Sequence, residues 1–297
     1  GWDQFEDFER YSDAPPKDAD DLYGFETIEL SIDHGARVTG HHLHWALERG
    51  ARREDLLTPL DHTAPGKKRS DEWWQIYQAP YEEQYHSTRF VTERTHQFIK
   101  ESCEGDEPWM ALCSYPDPHH PMCPPGPWFD RHSPDDMLLP QSRHDPLEHA
   151  PAHLRLFQGV HPAKQRDWVA PCGFGNDRLL SQAIAATYGM IEMVDEGVGQ
   201  ILRQLEELGV RDNTIIVFTS DHGDMMGDHG LFLKGFMHYR GTLQVPLIID
   251  APCMPALRSF GLSSSIDIAP TLPELCSLAG YDGIQGKSLT PMLADAA

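Results

Sequence analysis

The sequence predicts an α/β fold, a mostly parallel central sheet flanked by helices, and three observations carry that reading. Ile184, Tyr188, Ile191, Val194, Val198, Ile201, Leu205 and Leu208 recur at three- and four-residue steps, the spacing of one long amphipathic helix. Thr214 to Thr219 is a continuous apolar, β-branched run of strand length, and Val245 to Asp250 is a second. A helix feeding a strand that is buried on both faces is the repeating step of a parallel sheet.

The elements follow in chain order. Residues 1–84 are polar and rich in charge, Trp and His, with a short helical stretch at 40–49, and are expected as a peripheral insertion of the same domain. Residues 85–297 carry the α/β core. Phe90, Val91, Phe98 and Ile99 sit at helical spacing, and Trp109 to Tyr115, bounded by Pro108 and Pro116, is expected as a buried strand. Residues 116–178 hold much of the Pro and His with no period, which predicts a long excursion of the kind that lines active sites. Gly209 stands where the long helix needs a C-cap, and Asp267 or a neighbouring Ser is placed to cap a last helix ending at Gly280.

With 24 Lys and Arg against 46 Asp and Glu, the net charge of -22 gives no attraction for nucleic acid or an acidic membrane surface. An anionic substrate would need a bound cation and a few local basic groups. Six cysteines without C-x-x-C spacing indicate neither a zinc knuckle nor a small disulfide framework. No apolar run is long enough to span a membrane, and the first residues show no export signal.

Ser220-Asp221-His222-Gly223 follows directly on the strand ending at Thr219, where open parallel sheets bind ligands. An adjacent Asp and His offer an oxygen and an imidazole nitrogen to one divalent cation, and Gly223 allows a sharp turn. A capped turn in which His222 bonds only backbone is the other reading. The acidic cluster that continues from Asp224 is not an EF-hand, because Gly223 and Phe232 occupy its third and twelfth positions. Lys234 follows as a lone cation able to hold an anionic oxygen. His229 and His238 flank it and are lesser candidates to line a pocket. His34, His41, His42 and His44 form a dense run for which the solvated reading is preferred over a metal site.

Thr219 to Gly235 resembles the C-terminal signature of the sulfatase family of the alkaline phosphatase superfamily. Tyr188 to Gly199, Val245 to Ile248, Ser265 to Thr271, Gly283 to Leu289 and Asp117-Pro-His-His-Pro121 resemble further family segments, so the likeness covers roughly residues 85–293. It implies an alkaline phosphatase-like fold, Asp221 and His222 as metal ligands, and Lys234 on the substrate anion and leaving oxygen. The family pattern His, any residue, Pro selects His119 as the active-site histidine, a group suited to donating a proton as the ester bond breaks. His120 is read as an exposed loop residue. The implied cofactors are a divalent cation, calcium first with manganese or zinc as alternatives, and a formylglycine nucleophile made from Cys or Ser in a Cys-x-Pro-x-Arg motif.

No such motif occurs here. Cys253-Met-Pro-Ala-Leu-Arg258 places its Arg one residue late, and Cys253 is read as a turn residue. Gly1-Trp2-Asp3 resembles a family segment downstream of the nucleophile, so the expectation is a chain truncated at its N-terminus. The small C-terminal sheet usual in the family is mostly missing, and Arg240 stands where Glu is frequent. The expected function is sulfuric ester hydrolysis of a small-molecule or carbohydrate sulfate ester. A phosphonate monoester or phosphodiester hydrolase of the same superfamily, and a catalytically silent fragment or binding module, are the alternatives.

Overall fold

The Asn176 side chain accepts the Leu179 N–H at 3.0 Å and caps the longest element, a helix of 31 residues from Asp177 to Glu207. The chain leaves this helix through Gly209 at φ 70°, the left-handed stop that its sequence predicts. Two small residues choose which face packs. A Cβ on Gly189 would overlap the Trp128 carbonyl oxygen, and one on Gly197 would stand 2.5 Å from Thr92 Oγ1. That close approach buries Ala183, Ala186, Met190 and Met193, while Tyr188 and Ile191 of the expected stripe are exposed.

The computed structural model describes residues 7–16, 24–63, 65–68, 70–165, 169–252 and 254–294. The expectations resting on Gly1 to Asp3 and on Cys253 lie outside the described residues. The chain divides into two compact units, Gly1–Leu208 with Asp224–Gly241, and Gly209–Gly223 with Thr242–Ala297.

The first unit begins with the helix Phe8–Ser12, a short hairpin of Ser31–Ile32 with Thr39–Gly40, and the helix His41–Glu48. One core cluster joins Ala36, Val38, Leu43, Trp45, Leu56 and Tyr77 to Phe90 of the helix Ser87–Ser102. Residues expected as a peripheral polar insertion thus supply much of this cluster. The solvated reading of the histidine run is corrected: His42 is fully buried, and His34, His41 and His44 are partly so. The reason is the helix's apolar stripe, Leu43, Trp45 and Ala46, which turns His42 inward with both ring nitrogens engaged, by the Tyr85 carbonyl at 2.8 Å and the Ser31 hydroxyl at 3.1 Å. A second cluster packs Trp73, Ile76, Met122 and Phe232 on Leu179, Leu180 and Met190 of the long helix. The expected excursion 116–178 holds the short helices Gly126–Phe129 and Ala152–Gln158 and ends in Cys172–Gly173, which pairs with Leu231–Phe232.

Strand pairing departs from expectation. All three ladders among the described residues are two-stranded and antiparallel. Parallel pairing of Ile216–Thr219 with Leu247–Asp250 would need a crossover, usually a helix. Between them lie only the short helical turns Asp228–Gly230 and Arg240–Leu243, so the chain returns antiparallel, with Thr219 opposite Leu247. Residues 109–115 join no ladder, and Met110 and Leu112 are 64% and 72% exposed, so the expected buried strand is absent there.

In the second unit, Ser264 and Asp267 form a reciprocal capping box before the helix Ile268–Leu275. Asp267 also accepts the Lys287 N–H at 2.8 Å. The helix stops short of Gly280, because Ser277 turns left-handed at φ 57°. No helix among the described residues is long and apolar enough to cross a membrane.

Candidate functional site

The segment that carries the signature is held by its own backbone. Past the strand Ile216–Thr219, Asp221 Oδ1 accepts the His222 N–H at 2.8 Å and the Ser220 hydroxyl at 3.3 Å, while the Gly223 N–H reaches the Thr242 carbonyl at 2.8 Å. His222 Nδ1 lies 2.9 Å from the Gly223 carbonyl oxygen, so Nδ1 carries the proton and Nε2 keeps its lone pair. That lone pair stands 3.4 Å from Asp221 Oδ2. Metal–ligand bonds of about 2.0–2.6 Å place both atoms within reach of one cation, and the tie on the second imidazole nitrogen is the support that metal-bound histidines receive. Burial opposes ionisation of Asp221, but the hydrogen bonds that it accepts from the His222 N–H and the Ser220 hydroxyl favour the carboxylate, and the carboxyl lies below its usual range. Two donors fit a divalent cation as part of its shell. No cluster of three or more potential ligands occurs among the described residues.

The later part of the signature lies in the first unit. Asp224 Oδ1 accepts the N–H groups of Met226 and Leu233 at 2.9 and 3.1 Å, and Asp228 accepts the Ser142 hydroxyl at 2.6 Å. Both carboxylates brace a tight loop. Gly227, at φ 93°, lies against Leu180 of the long helix, where a Cβ would stand 2.6 Å from a methyl carbon. Lys234 follows this loop, half-buried. His229 is engaged by Asp145 at 2.7 Å, and His238 is exposed.

His119 is half-buried on the loop Asp117–Pro121. Its Nδ1 lies 2.6 Å from the His120 carbonyl oxygen, so in the neutral ring Nδ1 carries the proton and donates it. The reading of His120 as an exposed loop residue is corrected: it is 2% exposed, its ring stacked on His119 at 4.0 Å. Asp117 is buried beside it, with Oδ2 3.5 Å from His86 Nε2. Because His86 Nδ1 accepts the Thr88 N–H at 3.2 Å, the His86 proton sits on Nε2 and points at the carboxyl. Burial pushes Asp117 up to about 7. Burial, then the nearby His42 and Arg89 charges, takes His86 down to about 3. His86 is therefore uncharged near neutral pH, while the Asp117 carboxyl passes from neutral to ionised around pH 7.

The structure brings Asp221 and His222 together and gives His119 and Lys234 each a partly buried place in the first unit. Sequence reasoning missed the Asp117–His86 pair, 31 positions apart, and His34, which stacks on His119 at 3.7 Å. No local pattern marks either. Cys113 and Cys172 are not activated nucleophiles: burial raises Cys113 and pushes Cys172 up to about 12.

The family model described as Sulfatase matches residues 39–278. The chain belongs to the sulfatase family. Among its relatives is an arylsulfatase of Clostridium perfringens, 32% identical over 222 residues, a match covering 72% of this chain and 43% of that protein. A multifunctional alkaline phosphatase superfamily protein, PehA of Trinickia caryophylli, is 28% identical over 270 residues, covering 84% and 49%. Among solved structures, the phosphonate monoester hydrolase of Agrobacterium radiobacter superposes with a TM-score of 0.70 at 26% identity, covering 96% of this chain and 58% of that one. The chain thus spans about half the length of the relatives it matches. The fold is that of the alkaline phosphatase-like sulfatases, and sulfatases generally rely on a divalent metal and a formylglycine.

Proposed function

We propose that this chain supplies metal-binding and leaving-group-handling side chains for hydrolysis of a sulfuric ester. The observation that carries the reading is the pairing of Asp221 Oδ2 with His222 Nε2 at 3.4 Å, on a turn just past a strand, with the other imidazole nitrogen tied to backbone. Asp221 and His222 would hold the cation, which supplies Lewis-acid polarisation of the ester oxygens when bound. Calcium suits the carboxylate, and manganese or zinc suits the imidazole. His119, protonated at Nε2, would donate to the departing alkoxide oxygen, and the Lys234 ammonium would offset the negative charge gathering there. A small-molecule or carbohydrate sulfate ester fits this set. The nucleophile is not assigned to any residue of this chain.

A second reading, hydrolysis of a phosphonate monoester, is favoured by the superposition on the Agrobacterium radiobacter hydrolase across 96% of this chain. Both anions are tetrahedral and ask the same of a cation, an imidazolium and an ammonium. Steady-state kcat/KM for an aryl sulfate and an aryl phosphonate monoester, measured on protein expressed from its complete reading frame, separates them. Faster sulfate turnover, lost in Lys234→Ala, is expected; preference for the phosphonate favours the second reading. No turnover of either leaves a binding module.

A further inference from the structure

We infer that His34 is a positioning residue for His119, clamping the imidazole so that Nε2 is presented for proton transfer. This rests on the reading of His119 as the proton donor. The His119 ring lies between two others, His34 at 3.7 Å and 24° on one face and His120 at 4.0 Å and 27° on the other. Its Nδ1–H is tied to the His120 carbonyl at 2.6 Å. With both faces covered and one edge bonded, the ring cannot flip or slide without losing a stack or a hydrogen bond.

His34 is itself held by a turn with little freedom. It sits between the short strands Ser31–Ile32 and Thr39–Gly40, where Asp33 turns left-handed at φ 73° and Gly35 at φ 64°. Gly35 lies against the His119 loop: a Cβ there would stand 2.9 Å from Cys123 Sγ and 3.1 Å from Pro121 Cδ. The buried Tyr81 hydroxyl donates to the Gly35 carbonyl at 3.0 Å, and Thr58 donates to Ala36 at 2.8 Å. Asp33 accepts the His34 N–H at 2.9 Å, has Oδ1 3.4 Å from His34 Nδ1, and is fixed on its other oxygen by Arg37 at 3.1 Å. A side chain braced this far from its stacking partner in sequence acts as a scaffold for it, the support a proton-transfer group needs to keep its geometry.

The test uses His34→Ala, which removes the stack, and His34→Phe, which keeps an aromatic face without a titrating group. In the purified chain, long-range nitrogen–proton spectra of the neutral His119 ring report the tautomer directly. The expected result is an Nδ1–H tautomer in the wild type and in His34→Phe, and an averaged spectrum in His34→Ala. In protein from the complete reading frame, His34→Ala should lower kcat about tenfold with KM within about twofold, and His34→Phe should restore most of it. An unchanged ring spectrum in a folded His34→Ala overturns the inference whatever the turnover. So does loss of the tautomer in a folded His34→Phe. The spectral result without any ester hydrolysis by the wild type would sink the functional reading and leave the clamp standing.

Discussion

Asp221 and His222 are held in a different way from His119, and the difference decides what a sequence can disclose. The Asp221–His222 pair proposed to hold the cation stands largely in solvent on a turn, and the hydrogen bonds that orient its side chains come from residues 220–223. His119 takes its surroundings from residues tens of positions away, with His34 over its ring and the buried His86 facing Asp117. Neighbours in sequence made the first site; packing of a hairpin turn and a helix start onto one loop made the second.

The most severe break of this comparison is removal of a metal-pair donor. Asp221→Ala should lower kcat/KM for the preferred ester on the order of 10²–10³-fold, and a chelator should do the same to the wild type. Kinetics that survive both would remove the metal reading while leaving the His119 stack untouched.

Gly35→Ala probes the other region through stability. A methyl group at φ 64°, 2.9 Å from Cys123 Sγ, adds backbone strain to overpacking, and about 2–4 kcal/mol of destabilisation is expected in urea unfolding. A neutral substitution would mean that the turn can move away from the loop, and with it His34 from His119.

These two regions also mark the limits of the sequence. The long helix, its Gly209 stop, the helix after His86 and the strand leading into Asp221 were legible because periodicity and turn chemistry are local. The exposed place of Tyr188 was not, since Gly189 and Gly197 chose the packing face through contacts with Trp128 and Thr92. Antiparallel return of the two apolar strands was likewise hidden, because an apolar run states its length and not its partner. His34 looked like one more polar histidine until the hairpin folded it onto His119.

The buried Asp117 carboxyl gives a pH signature that the exposed pair lacks. Its value rises from 3.8 to about 7 on folding, so the native state binds a proton that the unfolded chain gives up between those values. Stability from this group is complete below about pH 4, falls as pH rises toward 7, and levels off above that. His42 and His86 act oppositely: burial lowers them from 6.5 to about 4 and about 3, so their contribution is whole above 6.5 and lost as pH falls. Asp117→Asn should therefore remove a slope of about 1.4 kcal/mol per pH unit between roughly pH 4 and 7 and leave the histidine slope in place. Urea midpoints at a series of pH values measure this, and identical profiles for variant and wild type would show the carboxyl ionised throughout.

The smallest effect belongs to Ser220. Its hydroxyl bridges Asp221 Oδ1 at 3.3 Å and the His222 carbonyl at 3.0 Å, bonds made in solvent beside a shorter one from the His222 N–H to the same carboxylate oxygen. Water can replace an exposed hydroxyl partner, so Ser220→Ala should change folding stability by less than about 0.5 kcal/mol. Partners behind a metal ligand still orient it, and their loss typically costs about 10–100-fold in affinity when they are buried. For this exposed turn, where the backbone N–H keeps Asp221 in place, we expect a loss of about tenfold or less in calcium or manganese affinity by titration calorimetry. A larger loss would mean that a side chain, and not the turn's own backbone, holds the metal pair, and the contrast with the braced His119 would narrow to one of distance along the chain.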